Sequence, residues 1–324
     1  MNNVRILATG RCTPDYILNN QKLSQIVETN DEWIITRTGI KERRISKGEN
    51  TSYFSWKAGE EAIRKAGISP KDIDIIIVAT STPDSAIPST ACLVQDLLGA
   101  DNAFAFDISA ACTGFIYGLD VGYKMLLAGP HKRALIIGVD VLSKVVNWED
   151  RGTCILFGDG AGAVIIEKTE EKGIYNTYLG SDGSRGKNAL VCGDYGIKSP
   201  FVKEGREYNP FIKMEGKEIF KFAVRIIPES VNKVLENTNI SLDEIKYIIP
   251  HQANFRIVDA AAKKLNVDID KFYLNVDKYG NTSAASIPIA LDEIIQKNLV
   301  KKGDKIILVG FGGGLTWGAI LLEI

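Results

Sequence analysis

Two copies of one pattern run through this chain of 324 residues. ISPKDIDIIIVATST starts at Ile68, and ISLDEIKYIIPHQAN starts at Ile240, 172 residues later. The same offset carries RALIIG (Arg133–Gly138) onto KIILVG (Lys305–Gly310), while GAVIIE (Gly162–Glu167) returns as GAILLE (Gly318–Glu323) after 156. The first copy therefore holds 16 extra residues between Gly138 and Gly162, a loop with Trp148, Arg151 and Thr153. Shared strand composition does not produce a constant offset over such a length; duplication of one folding unit does.

The unit is α/β. Apolar runs at Ile73–Thr80, Ala103–Ser109, Ala134–Val139, Ala163–Ile166, Tyr247–Pro250, Lys305–Gly310 and Ala319–Leu322 alternate with amphipathic helical patterns. Unbroken apolar strands between helices predict parallel sheet covered on both faces. Two domains are expected, 1–170 and 171–324, joined by an irregular stretch near Glu170–Tyr208.

Composition narrows the function. A net charge of −1 gives no electrostatic reason to bind nucleic acid or an anionic membrane. No run approaches the ~20 apolar residues of a membrane helix, and Met1–Gly10 lacks the basic start and apolar run of a signal peptide. Five scattered cysteines and two histidines offer neither a CxxC pair nor a zinc framework. A cytoplasmic chain with reduced thiols is expected.

DISAACTGF (Asp107–Phe115) sets Cys112 among small residues, where a strand pattern turns into the helical segment Phe115–Ala128. An apolar setting suits a core cysteine. A helix start also favours thiolate, and Ala110, Ala111 and Gly114 leave room for a substrate. The offset of 172 carries this stretch onto YGNTSAAS (Tyr279–Ser286), before the helical segment Ile287–Lys297. Packed about a pseudo-two-fold axis, the two helix starts would meet at the centre. The first copy contributes Cys112 there, and the second contributes His251, at a strand end, and Asn281. His131 lies in a turn, GPHKRA, and reads as a surface residue. A Cys, a His and an Asn fit covalent thioester chemistry, and equally a Cys/His/Asn hydrolase. GFGGG (Gly310–Gly314) lacks the spacing of a phosphate loop, so it reads as backbone brought close to a reacting centre.

Taken together, DISAACTGF, HQANFRI, YGNTSAASIP and GFGGGLTWGA resemble the signatures of β-ketoacyl-acyl carrier protein synthase III, of the thiolase superfamily. EWIITRTGIKERR (Glu32–Arg44) and KMEGKEIFKFAV (Lys213–Val224) add to the likeness, which spans the chain. The resemblance implies a five-layered αβαβα fold of two similar halves, a homodimer, and decarboxylative Claisen condensation of an acyl-CoA primer with malonyl-acyl carrier protein. It makes Cys112 the acyl-accepting nucleophile, already a thiolate at its helix start. His251 and Asn281 become donors to the enolate, and the backbone N–H groups of Cys112 and Gly313 the oxyanion hole. It implies that Trp33 and Arg151 sandwich the CoA adenine and that Arg37 meets the phosphates. Thr29, Gly216, Phe220 and Asn254 would line the pantetheine tunnel, with Lys221, Arg256, Lys263 and Lys264 facing the acidic carrier protein. No metal or redox cofactor is expected, because loss of CO₂ generates the carbanion. Ile87 stands where members preferring acetyl primers often hold Phe, which predicts acceptance of longer or branched primers. Rival readings are a non-decarboxylating acyltransferase or specialised-metabolite synthase, a Cys-dependent thioester hydrolase, and a non-catalytic acyl-CoA-binding protein.

Overall fold

The apolar run Ile75–Ala79 forms a strand buried along its whole length. It pairs in parallel with Phe104–Ile108 on one side and Arg133–Val141 on the other. Each fully buried Ile or Val here contributes about 1.5–3 kcal/mol of transfer free energy, which favours this central position over an edge. The computed structural model describes residues 3–193, 197, 199–202 and 209–324; part of the expected junction Glu170–Tyr208 lies outside them.

The first sheet runs in the order Asn3–Cys12, Asp159–Thr169, Arg133–Val141, Ile75–Ala79, Phe104–Ile108. The second runs Ile245–Pro250, Lys305–Gly312, Thr316–Glu323, Ile174–Ser181. Under the offsets read from the sequence, three neighbouring strands of one sheet fall on three of the other in the same order. Two strands have no counterpart among the expected runs. Asn3–Cys12 and Ile174–Ser181 are interrupted by polar residues, and their partners Asp159–Thr169 and Thr316–Glu323 supply the continuous apolar face. The stretch expected to be irregular thus contains a strand and the helix Gly183–Ala189. A further departure from symmetry lies opposite. The counterpart of Phe104–Ile108 is the short helix Val276–Tyr279, and among the described residues one bridge, Ile248 to Phe272, remains at that edge of the second sheet.

Helices complete five layers, αβαβα. Thr51–Ala66 and Thr90–Leu98 cover the outer face of the first sheet, and Gly216–Leu235 and Phe255–Leu265 that of the second. Between the sheets lie Gly114–Ala128 and Ser286–Gln296, each touching both. Gly114, Gly118 and Gly122 form one stripe of the first central helix. A Cβ on these residues would lie 3.1 Å from Ala79 Cβ, 3.3 Å from Ile136 Cγ2 and 2.6 Å from Ile136 Cδ1, respectively. Close approach to the sheet outweighs the ~1 kcal/mol of helix propensity lost at each glycine. Among the described residues, no helix is long and apolar enough to cross a membrane.

Candidate active site

The strand Phe104–Ile108 ends in a tight turn, Ala111–Thr113, that runs directly into the helix Gly114–Ala128. Ala111 holds a left-handed backbone (φ 47°) to make that turn, a conformation that costs a residue with a Cβ on the order of 1 kcal/mol. Neighbouring structure fixes it. The Thr113 hydroxyl donates to Thr316 O at 3.2 Å, and the Thr316 hydroxyl stands 2.8 Å from Gly313 O and 3.0 Å from Thr113 Oγ1. Gly312 backs onto the nucleophile so closely that a Cβ there would lie 2.8 Å from Cys112 Cβ. A Cβ on Gly313 would lie 3.5 Å from Ala111 Cβ. The glycine loop is therefore packed against the Cys112 turn, as a backbone approaching a reacting centre.

The thiol of Cys112 is buried, and burial pushes its pKa up to about 12. The charge of Asp140 acts in the same direction, while the Ser283 hydroxyl opposes it. This corrects the expectation of a thiolate formed by the helix start alone: desolvation of a sulfur anion exceeds what one helix terminus returns. Cys112 rests as a thiol.

His251 follows the strand Ile245–Pro250, and its N–H donates to Val309 O at 2.8 Å. Its ring meets the edge of Phe311 with centroids 5.1 Å apart, one residue before Gly312. Nδ1 lies 2.7 Å from Ser286 Oγ, and Ser286 Oγ lies 2.9 Å from Ser283 O. Burial holds the imidazole neutral, with its pKa lowered to about 3. Asn281 is fixed on the other side. Its N–H donates to Leu156 O at 2.8 Å, and its carbonyl accepts from Gly158 N at 2.9 Å. Its side-chain oxygen accepts from Ser283 N at 2.9 Å, which commits that oxygen and leaves the NH₂ group to donate elsewhere. The two turns touch; Gly312 backs onto Cys112, its neighbour Phe311 meets the His251 ring, and Ser283 holds Asn281, so both halves contribute to one centre.

A second cluster assembles around Trp33, on the helix Asp31–Thr38. The guanidinium carbons of Arg37 and Arg151 each lie 4.7 Å from its ring centroid. Arg151 also donates to Glu28 O at 3.1 Å, beside Thr29, whose hydroxyl is buried without a partner among the described residues. Asn254 caps the helix Phe255–Leu265 through Arg256 N at 2.8 Å and donates to Arg37 O at 3.0 Å, joining this cluster to the strand end that carries His251. Gly216 is exposed at the start of its helix, and Phe220 packs against the second-half core. Lys221, Arg256, Lys263 and Lys264 are exposed on the two outer helices of that half; Lys221 pairs with Glu218 and Lys263 with Asp259. Ile87 stands apart from all of these, 88% exposed on a surface loop.

Sequence reading missed Asp140, Ser283 and Ser286. A lone acid in the apolar strand LIIGVDV was the available signal for the first, because a buried carboxylate requires donors. Asp140 is fully buried and has them: Ser81 N at 2.8 Å, the Thr82 hydroxyl at 2.9 Å, the Thr80 hydroxyl at 3.2 Å and Ala284 N at 3.2 Å.

The family described as 3-Oxoacyl-[acyl-carrier-protein (ACP)] synthase III matches residues 106–183, and its C-terminal region matches residues 235–324. Beta-ketoacyl-[acyl-carrier-protein] synthase III of Clostridium novyi is 56% identical over 323 residues, covering 100% of this chain and 99% of the relative. That of Clostridium kluyveri is 55% identical, with both chains covered completely. The crystal structure of 3-oxoacyl-[acyl-carrier-protein] synthase III from Aquifex aeolicus superposes with a TM-score of 0.92 at 48% identity, covering 99% of this chain and 100% of that one. The chain belongs to the β-ketoacyl-[acyl-carrier-protein] synthase III family and is an acyl-transferring condensing enzyme.

Proposed function

We propose that the chain takes an acyl group from acyl-CoA onto Cys112, then joins it to malonyl-acyl carrier protein with loss of CO₂. The products are 3-oxoacyl-acyl carrier protein and free enzyme, the first step of fatty acid synthesis. The observation that supports the residue assignment is the contact of the Cys112 turn, from one half, with the turn that holds Asn281, from the other, beside the bare Gly312 and the Phe311 that meets His251.

Because Cys112 rests as a thiol, acylation must move its proton as sulfur attacks the thioester carbon. The proton ends on the departing CoA sulfur, and the N–H groups of Cys112 and Gly313 receive the carbonyl oxygen while it carries charge. Each such donor is typically worth about 3 kcal/mol of barrier. In the second half-reaction the malonyl C–C bond breaks, CO₂ leaves, and the electron pair stays as an enolate. The Asn281 NH₂ and a neutral His251 bind that oxygen. A neutral imidazole suits the role, since a charged one would capture the enolate as a fixed ion pair. The enolate carbon then attacks acyl-Cys112, the acyl C–S bond breaks, and the expelled thiolate takes up a proton from solvent. The carbanion arises from CO₂ loss, so this reading calls for no metal or redox cofactor.

Trp33, Arg37 and Arg151 are assigned to CoA, and Thr29, Gly216, Phe220 and Asn254 to its pantetheine arm. Lys221, Arg256, Lys263 and Lys264 are assigned to the carrier protein. We further read the chain as two halves, 1–170 and 171–324, working as a cytoplasmic homodimer with five free thiols. A second copy against the open edge strand Phe104–Ile108 would cover Phe104, which is 41% exposed, and give the surface residue Ile87 a partner's acyl pocket to line. Ile87 then favours longer or branched primers over acetyl alone. Activity with acetyl-CoA and none with isobutyryl-CoA would refute that preference.

The deciding experiment follows both half-reactions. Acyl-CoA should leave an adduct on Cys112, seen by intact mass, and malonyl-carrier protein should then release CO₂. His251→Ala should keep the adduct and lose the CO₂. An adduct without CO₂ would mark a simple acyltransferase, and free acid without condensation a hydrolase.

A further inference from the structure

The same turn occurs twice at the centre of the molecule. The offset of 172 carries Ala111 onto Ser283, Cys112 onto Ala284, Gly138 onto Gly310, and Asp140 onto Gly312. Ala111 and Ser283 share a left-handed backbone, with φ of 47° and 49°. Each opens a one-turn segment, Ala111–Thr113 or Ser283–Ala285, that runs into a central helix. Each turn is packed against a strand of the opposite half. A Cβ on Gly138 would lie 2.2 Å from Ala284 O, and one on Gly312 would lie 2.8 Å from Cys112 Cβ and 3.1 Å from Cys112 N.

The symmetry ends at one side chain. Asp140 reaches across the interface between halves, and its Oδ2 accepts the Ala284 N–H at 3.2 Å. Its counterpart Gly312 has no side chain, and the Cys112 N–H meets no acceptor in another described residue. An N–H at a helix start needs an acceptor and favours an anionic one. In one turn the protein supplies that acceptor permanently. In the other it leaves the place open.

We propose that Asp140 is a positioning residue, whose carboxylate fills in the second half the anion site that in the first half stays open for the substrate oxygen. By holding Ala284 it fixes the turn whose Ser283 N–H grips Asn281 Oδ1 and whose helix carries Ser286, the partner of His251. Bareness at position 312 and a carboxylate at position 140 are then two halves of one arrangement.

This inference rests on the condensing reading above, and its test separates the two. Both oxygens of Asp140 accept a backbone N–H, Oδ1 from Ser81 and Oδ2 from Ala284. Asp140→Asn must therefore set an NH₂ group against one of them, whichever way the amide turns. Adduct formation on Cys112 from acyl-CoA should not fall, since losing the Asp140 charge eases deprotonation of the thiol, while CO₂ release from malonyl-carrier protein falls about thirtyfold, the size expected for losing a charge-assisted bond. Equal losses in both steps, or no loss in either, would overturn the proposal. Thr82→Ala removes one donor to Asp140 without touching either turn. It serves if Asp140→Asn does not fold, and should show the same split at about fivefold. Equal effects on the two steps, or none, would again overturn it. Wild-type protein that forms no adduct and releases no CO₂ would instead defeat the parent reading.

Discussion

At the scale of single residues, burial sets the protonation states of the site. His251 shows how this links chemistry to stability. Its pKa is lowered from the ordinary 6.5 to about 3, so the folded state binds a proton less readily than the unfolded chain. Its neutrality therefore contributes fully above pH 6.5 and is lost as pH falls toward 3, by at most about 5 kcal/mol. Urea unfolding between pH 7 and 4 should show this loss in wild type and a smaller one in His251→Asn; identical slopes would rule the effect out. Cys112 titrates in the opposite region. Alkylation of the free enzyme by iodoacetamide should keep rising with pH beyond 9, without the plateau near neutrality that a thiolate stabilised by a helix would give. The meeting of the two turns was legible from sequence, because the duplication carries the Cys112 turn onto the one that follows Asn281, and Ala111–Thr113 and Ser283–Ala285 do touch. Protonation was not. It depends on how much of the sulfur water can reach, and strands distant in sequence decide that.

At the scale of elements, the glycines separate two kinds of closeness. A Cβ on Gly122 would meet the far end of the Ile136 side chain at 2.6 Å, which can turn away. On Gly138 it would meet the Ala284 carbonyl at 2.2 Å, which cannot move without the Asn281 turn. Gly122→Ala should therefore change stability by no more than about 1 kcal/mol, the propensity gained offsetting some strain. Gly138→Ala should cost about 2–3 kcal/mol and lower CO₂ release as well. Denaturant melts of both variants check this, and equal costs would contradict it. The periodic strands and the central helices were readable because their burial is continuous. Asn3–Cys12 and Ile174–Ser181 were not, since each borrows an apolar partner strand and carries little alternation of its own. Asp140 shows the same limit from the other side: a lone acid in an apolar strand signals a partner without saying which.

At the scale of the whole molecule, the layers divide labour. Outer helices of the second half carry the exposed cations assigned to the carrier protein, while the Trp33 cluster adjoins them through Asn254. If that assignment holds, Arg256→Glu should raise the KM for malonyl-carrier protein about tenfold, shrinking with added salt, and leave acylation by acyl-CoA unchanged. An effect on both substrates would place Arg256 in the CoA path instead.

The short helix Val276–Tyr279, standing where the repeat called for a strand, has a consequence for how copies of this chain can add up. Had both sheets kept an open fifth strand, every molecule would carry two sticky borders, and chains could extend one another without end. With one of those borders coiled, the proposed dimer along Phe104–Ile108 would use up the matching seam, and size measurements over a range of concentrations should then show growth stopping at two copies.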